Sequence, residues 1–140
     1  VSACVLDASF TLQWLFRDEA SDDGYAALTV VVREGATVPH IWFSEVVNAL
    51  ILAERRGRIE EAETDHVLRE IQFLPLDVDE ANSLHWSMQV VNLMRTHRLT
   101  AYDATYLELA QRRGLPLASL DRRLNGAAQA AGVPVFAVPG

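Results

Sequence analysis

The sequence predicts an α/β fold with a short, mainly parallel central sheet. Three observations carry this. Short apolar runs alternate with longer stretches of helical periodicity along the whole chain, the pattern of β–α units feeding a parallel sheet. Glycines stand where helices should stop, at Gly35, Gly57, Gly114 and Gly132. Finally, 140 residues with a hydrophobic fraction of 50% suffice for one sizeable core. Residues 1–140 are therefore expected to form a single domain.

The elements follow in order. Ala3 to Leu6 is an apolar run ending at Asp7 and reads as a buried strand. Phe10 to Phe16 has helical spacing. Ser21-Asp22-Asp23 opens a second helix that reaches about Arg33, where Gly35 ends it. Thr37-Val38-Pro39 is a minimal second strand. Trp42 to Arg56 is a strong amphipathic helix, with Trp42, Val46, Ala49 and Ala53 on one stripe. Glu60 to Phe73 gives another helix. Leu76-Asp77-Val78 is a third strand, and Asp79 is placed to cap a helix that runs to about His97. Thr100 to Arg113 is the next helix. Leu117 to Leu120 is a fourth strand ending at Asp121, and Arg122 to Ala131 is a short helix. Val133 to Val138 is the last strand. No repeat, low-complexity tract or linker interrupts the series.

Composition excludes several function classes. Cys4 is the sole cysteine, so no internal disulfide forms, and its apolar neighbours predict a buried thiol. The N-terminus has no basic region and meets Asp7 at once, unlike a signal peptide. No apolar run approaches the roughly 20 residues of a membrane-spanning helix. A soluble, cytoplasmic protein is expected. The net charge of −7 argues against broad attraction to nucleic acid. It leaves open a phosphate substrate held through a metal. All 12 basic side chains are Arg.

Four acids carry the chemistry. In a right-handed β–α–β unit each helix starts near the carboxyl end of the preceding strand. The carboxyl edge of the sheet therefore collects strand-terminal residues, here Asp7 and Asp121, and residues of helix first turns, here Glu45 and Asp103. Ligands of open α/β sheets bind at that edge. Singly, each acid has a plain structural use: Asp7 or Ser9 as a cap, Asp121 as the N-cap of its helix, Thr100-x-x-Asp103 as a capping box, Glu45 as a helix-dipole partner. Gathered together they repel, and a divalent cation such as Mg²⁺ or Mn²⁺ relieves that repulsion. Such an ion activates water and neutralises phosphoryl oxygens. His40, His66, His85 and His97 lack zinc-ligand spacing, and no phosphate-binding glycine loop is present.

Four segments then match a known pattern in order: Val5-Leu6-Asp7-Ala8-Ser9, Glu45-Val46-Val47-Asn48-Ala49-Leu50, Leu99-Thr100-Ala101-Tyr102-Asp103-Ala104 and Leu117-Ala118-Ser119-Leu120-Asp121. Together they resemble the PIN-domain nucleases, in particular the VapC toxins of bacterial toxin–antitoxin pairs. The resemblance implies a PIN-like three-layer α/β/α sandwich and a Mg²⁺- or Mn²⁺-dependent endoribonuclease. It assigns Asp7, Glu45, Asp103 and Asp121 to metal binding and catalysis, with Ser9, Asn48 and Ser119 supporting them. It also implies a homodimer and a cognate antitoxin whose C-terminal segment blocks the site.

Outside the acids, Arg122 and Arg123 directly follow Asp121 and are candidate phosphate contacts. Arg55, Arg56 and Arg58, like Arg112 and Arg113, end helices, and complementing the helix dipole is their expected use. Trp14, Trp42 and Trp86 are expected in the core, with Trp14 and Phe16 an alternative partner groove. The acidic surface suits a basic antitoxin peptide. The alternative function is a non-catalytic α/β interaction or signalling module with an acidic metal site. Receiver-type signalling domains need a Lys beside the acceptor Asp, and this chain has none.

Overall fold

β1 is the apolar pair Val5–Leu6, wholly buried at the centre of the sheet. The computed structural model describes residues 2–15 and 22–136. After Asp7 the chain turns into α1 (Ala8–Leu15), and the Phe10 and Thr11 amides bond back to the Asp7 carbonyl. The helix thus opens two residues before the predicted Phe10, because Asp7 supplies its first acceptor. Phe16 and Ser21 lie outside the described residues, as does the side chain of Trp14. α2 (Asp22–Glu34) leads through Gly35, at φ 83°, into β2 (Ala36–Pro39). Only glycine adopts that left-handed turn cheaply.

α3 (Ile41–Arg55) buries Trp42, Val46, Leu50 and Ala53. Leu50 replaces the predicted Ala49 on the stripe, because i+8 tracks the buried face as well as i+7 and carries the larger side chain. The Trp42 indole donates to Thr11 Oγ1 at 3.2 Å and fastens α3 to α1. α4 (Glu61–Ile71) precedes β3 (Leu76–Asp79). Asp79 does not cap the next helix. α5 (Leu84–His97) is capped by Ser83, whose Oγ accepts from the Trp86 amide at 3.2 Å. Asp79 instead bonds Arg112 and Arg113 at the end of α6 (Ala101–Arg113), a long-range attraction that outweighs a local cap. Those two arginines are therefore held in ion pairs.

β4 is only Leu117–Ala118, and α7 (Arg122–Ala130) follows. Asp121 is the N-cap of α7 and not the end of a strand: its Oδ1 accepts from the Arg123 and Leu124 amides at 2.9 and 3.1 Å. The predicted strand Val133–Val138 shrinks, among the described residues, to one parallel bridge between Leu117 and Val135. Ala137 and Val138 lie outside the described residues.

All described strand pairs are parallel, in the order β3-β2-β1-β4. Right-handed crossovers then fix the layers. The chain steps from β1 to β2 to β3 with α1–α4 on one face. It returns from β3 to β4 and onward with α5–α7 on the other. The reversal falls between β1 and β4, where an open sheet forms its ligand crevice. Core weight comes from Trp42, Tyr106, Leu6, Leu50, Leu107, Leu117 and Leu124, all fully buried. Trp86 packs against this core partly buried. Cys4 is free and buried, and burial pushes its thiol up to about 12. Among the described residues no helix is long and apolar enough to cross a membrane.

Candidate metal and nuclease site

Asp7 stands just past β1 and is only 4% exposed. A carboxylate there needs donors. Ser9 Oγ and Ser119 Oγ each donate to Asp7 Oδ2 at 2.6 Å, short bonds as expected for a charged acceptor. Ser119 comes from the β4 side of the crevice and Ser9 from the first turn of α1. Ser119 Oγ also accepts from the Asp121 amide at 3.0 Å, and Ser9 Oγ accepts from the Leu120 amide at 3.2 Å. Two serines thus stitch the β1 and β4 ends together. Both hydroxyls take the same oxygen, which leaves Oδ1 as the Asp7 oxygen for another ligand.

The other acids stand round this point. Asp103 is in the first turn of α6, where the Thr100 side chain caps its amide at 3.2 Å. Glu45 lies one turn into α3, slightly deeper than predicted, and Asn48 is exposed one turn beyond it. Glu45 Oε1 accepts from the Tyr106 hydroxyl at 2.8 Å. Sequence reasoning missed Tyr106. Its neighbour Asp103 was the signal, since i+3 shares a helix face with i.

Electrostatics tie the four together. Burial raises the Asp7 pKa most, its two serine bonds pull it partly back, and the Asp121 charge raises it again. Glu45 is raised by burial and then by Asp7 and Asp103, with the Tyr106 bond opposing. Asp103 is raised by burial and by Asp121 and Asp7, while Thr100 and the Arg123 charge oppose. Asp7 thus feels Asp121, Glu45 feels Asp7 and Asp103, and Asp103 feels both Asp121 and Asp7, with Arg123 at the rim. Both Arg122 and Arg123 are exposed.

The raised values give a pH dependence. A carboxyl whose folded pKa exceeds its unfolded value holds protons that the unfolded chain has released. Its stabilising contribution is complete below the unfolded value, about 4, and is lost as pH rises through the folded one. Metal-free protein is expected to melt at a higher temperature near pH 5 than near pH 8, with added divalent cation raising the pH 8 value by mass action. Scanning calorimetry with chelator checks this, and a melting point that rose with pH would contradict it.

The donor set fits a hard divalent ion: carboxylate oxygens, with no thiolate or imidazole among them. Among the described residues no three Asp, Glu, His or Cys side chains converge tightly enough to hold an ion as they stand. The acids are electrostatic neighbours and not a closed cage.

Comparison with known proteins fits this geometry. The family model described as "PIN domain" matches residues 4–130. Ribonuclease VapC3 of Mycobacterium tuberculosis is 34% identical over 123 residues, covering 86% of this chain and 83% of that protein. The crystal structure of PAE2754 from Pyrobaculum aerophilum superposes with a TM-score of 0.70 at 25% identity, over 90% of this chain and 84% of that one. FitAcB from Neisseria gonorrhoeae has the same fold, with a TM-score of 0.69 at 17% identity over 96% of each chain. A toxin–antitoxin complex from Klebsiella pneumoniae does too, with a TM-score of 0.60 at 18% identity over 97% of this chain and 98% of that one. With the PIN match running from the first strand to the last described helix, through all four acidic positions, the chain belongs to the PIN-domain family.

Proposed function

We propose that this protein is a metal-dependent endoribonuclease and the toxin of a type II toxin–antitoxin pair. The observation that carries the reading is the field of four carboxylates at the β1/β4 crevice, in a chain one-third identical to a ribonuclease. Asp7, Glu45, Asp103 and Asp121 would hold the ion, Mg²⁺ or Mn²⁺. Bound there, it would supply charge neutralisation at the phosphate and an activated water. Ser9 and Ser119 hold Asp7 in one rotamer for that task. Asn48, exposed and three residues beyond Glu45 on the same face of α3, is the polar side chain placed to support it. A carboxylate of the cluster takes the proton of the attacking water.

An acidic site must still attract a polyanion, and Arg123 is a cation whose charge reaches Asp103. Arg122 is its exposed neighbour, a second phosphate contact. Arg123→Ala is expected to raise KM for RNA about 10-fold, the loss of roughly 1.4 kcal/mol from one charge-assisted contact. Arg122→Ala should give a smaller rise, and neither should change kcat by more than about 2-fold. Steady-state kinetics on one RNA decides, and unchanged KM in both variants would remove them from the site.

Two partners complete the reading. A cognate antitoxin with a basic segment suits a chain of net charge −7. A second copy suits the exposed apolar row Leu84, Met88 and Val91 along α5. The cytoplasm, where RNA and ribosomes meet such a toxin, is the expected compartment. The test is cleavage of single-stranded and structured RNA by purified protein, with Mg²⁺ or Mn²⁺ against excess chelator. Metal-dependent cleavage supports the nuclease. No cleavage and no metal binding by calorimetry would favour a non-catalytic interaction module.

A further inference from the structure

Tyr106 is a buried polar side chain that the nuclease reading leaves without a task. It is 0% exposed, yet it carries a hydroxyl at the carboxyl edge of the sheet. A buried hydroxyl needs partners. This one donates to Glu45 Oε1 at 2.8 Å. The Ala8 backbone amide, at the mouth of α1 next to Asp7, faces the same oxygen. Tyr106 itself lies one turn beyond Asp103 on α6. One oxygen atom therefore bonds α3 from α6 and lies near the mouth of α1, the three helices that carry or follow Glu45, Asp7 and Asp103.

We propose that Tyr106 is a positioning residue for the metal site, acting through Glu45. The inference rests on the metal-dependent reading above. Glu45 reaches the crevice from the helical layer opposite α6, on a long side chain with three rotatable bonds. Unrestrained, it would sample rotamers pointing into solvent, and ordering it would subtract from metal affinity. The Tyr106 hydroxyl fixes Oε1 and leaves Oε2 as the oxygen for a cation. Outer partners that orient ligands in this way typically contribute about 10–100-fold to metal affinity. The ring adds rigidity: it is locked in the core between α6 and the sheet, so its hydroxyl has no freedom to follow a wandering carboxylate.

Tyr106→Phe removes one oxygen and keeps the ring. Mn²⁺ binding is measured by calorimetry on wild type, Tyr106→Phe, Glu45→Ala and the double variant, each checked for fold by circular dichroism and melting temperature. Tyr106→Phe is expected to weaken Mn²⁺ binding about 10-fold. The Mn²⁺ concentration for half-maximal RNA cleavage should shift by the same factor, with KM for RNA unchanged at saturating metal. In the Glu45→Ala background the tyrosine change should do nothing further. An unchanged Mn²⁺ affinity in Tyr106→Phe overturns the proposal. An equal loss in both backgrounds overturns it as well, since the tyrosine would then act on the fold and not through Glu45. Wild-type protein that binds Mn²⁺ without cutting the RNA tested would count against that substrate and not against the metal site, and the binding cycle would still decide for or against Tyr106.

Discussion

Asp7→Asn is expected to abolish metal-dependent RNA cleavage while leaving the protein folded and at least as stable without metal. The activity loss should be on the order of 100- to 1,000-fold, the scale seen when a group that organises transition-state charge is removed. The stability half follows from the environment. Asp7 is buried, its pKa is raised first by that burial, and the Asp121 charge adds to the strain. An asparagine carbonyl still accepts from Ser9 and Ser119, the two donors now on Oδ2. What disappears is a desolvated negative charge near others. Metal-free Asp7→Asn should therefore melt no lower than wild type near pH 8. Its melting temperature should also respond less to pH and to added Mg²⁺. Cleavage assays and calorimetric melts on the same samples test both halves. Retained cleavage would move the site elsewhere. Lost cleavage with a collapsed fold would make Asp7 a structural residue.

That pairing of lost activity with kept stability explains what could be read from the chain before its fold was seen. A site at a parallel sheet's carboxyl edge is built from positions, and positions follow from the alternation of strands and helices. Asp7 after an apolar run and Asp103 after a Thr cap are local patterns, so they were legible. Asp121 was legible as an acid at that edge, and its N-cap role was one of two uses the sequence allowed. Contacts between distant segments were not legible. Asp103 puts Tyr106 on the crevice side of α6, but it does not announce that the hydroxyl meets Glu45, 61 residues away. Ser119 was identified only through resemblance, although its bond to Asp7 spans 112 residues and closes the crevice.

The misreadings have the same origin. Asp79 before a helix satisfies every local rule for an N-cap, yet Ser83 takes that position. Val133 to Val138 has strand composition, whereas among the described residues its pairing is the single bridge at Val135, made by Pro134 and Phe136 bonding Leu117. Composition states a preference, and the sheet edge decides how much of it is paired.

The Asp79 correction leads to the second large effect. Arg112→Ala is expected to cost about 2–3 kcal/mol of stability with little change in cleavage. Arg112 holds Asp79 with two bonds, Nη1 to Oδ1 at 2.9 Å and Nη2 to Oδ2 at 2.6 Å, and its Nε donates to Glu108 Oε1 at 2.7 Å. Asp79 and Glu108 are 8% and 6% exposed. Removing their shared cation leaves two carboxylates poorly solvated and side by side. Breaking a fully buried pair costs about 3–5 kcal/mol. The Arg112 side chain is 37% exposed, and Arg113 also reaches Asp79 at 3.1 Å, so solvent and a second cation trim that figure. Arg113→Ala alone should cost less than about 1 kcal/mol, because it spans the rim.

The pH dependence separates this network from the acids of the crevice. The arginine bond holds Asp79 down at about 2. Its stabilising contribution is complete above the ordinary carboxylate value near 4 and is lost as pH falls through about 2. The deficit of Arg112→Ala should therefore be full at neutral pH and shrink in strong acid, opposite to the trend of the site acids. Arg112 lies nine residues beyond Asp103 on α6, roughly 14 Å along the helix axis, so kcat should hold. Urea melts at neutral pH and near pH 3 measure the change. A deficit under about 0.5 kcal/mol at neutral pH would show that Arg113 alone satisfies Asp79. A loss of kcat in folded Arg112→Ala would mean that the network reaches the crevice through α6, and that fold and site are not separable there.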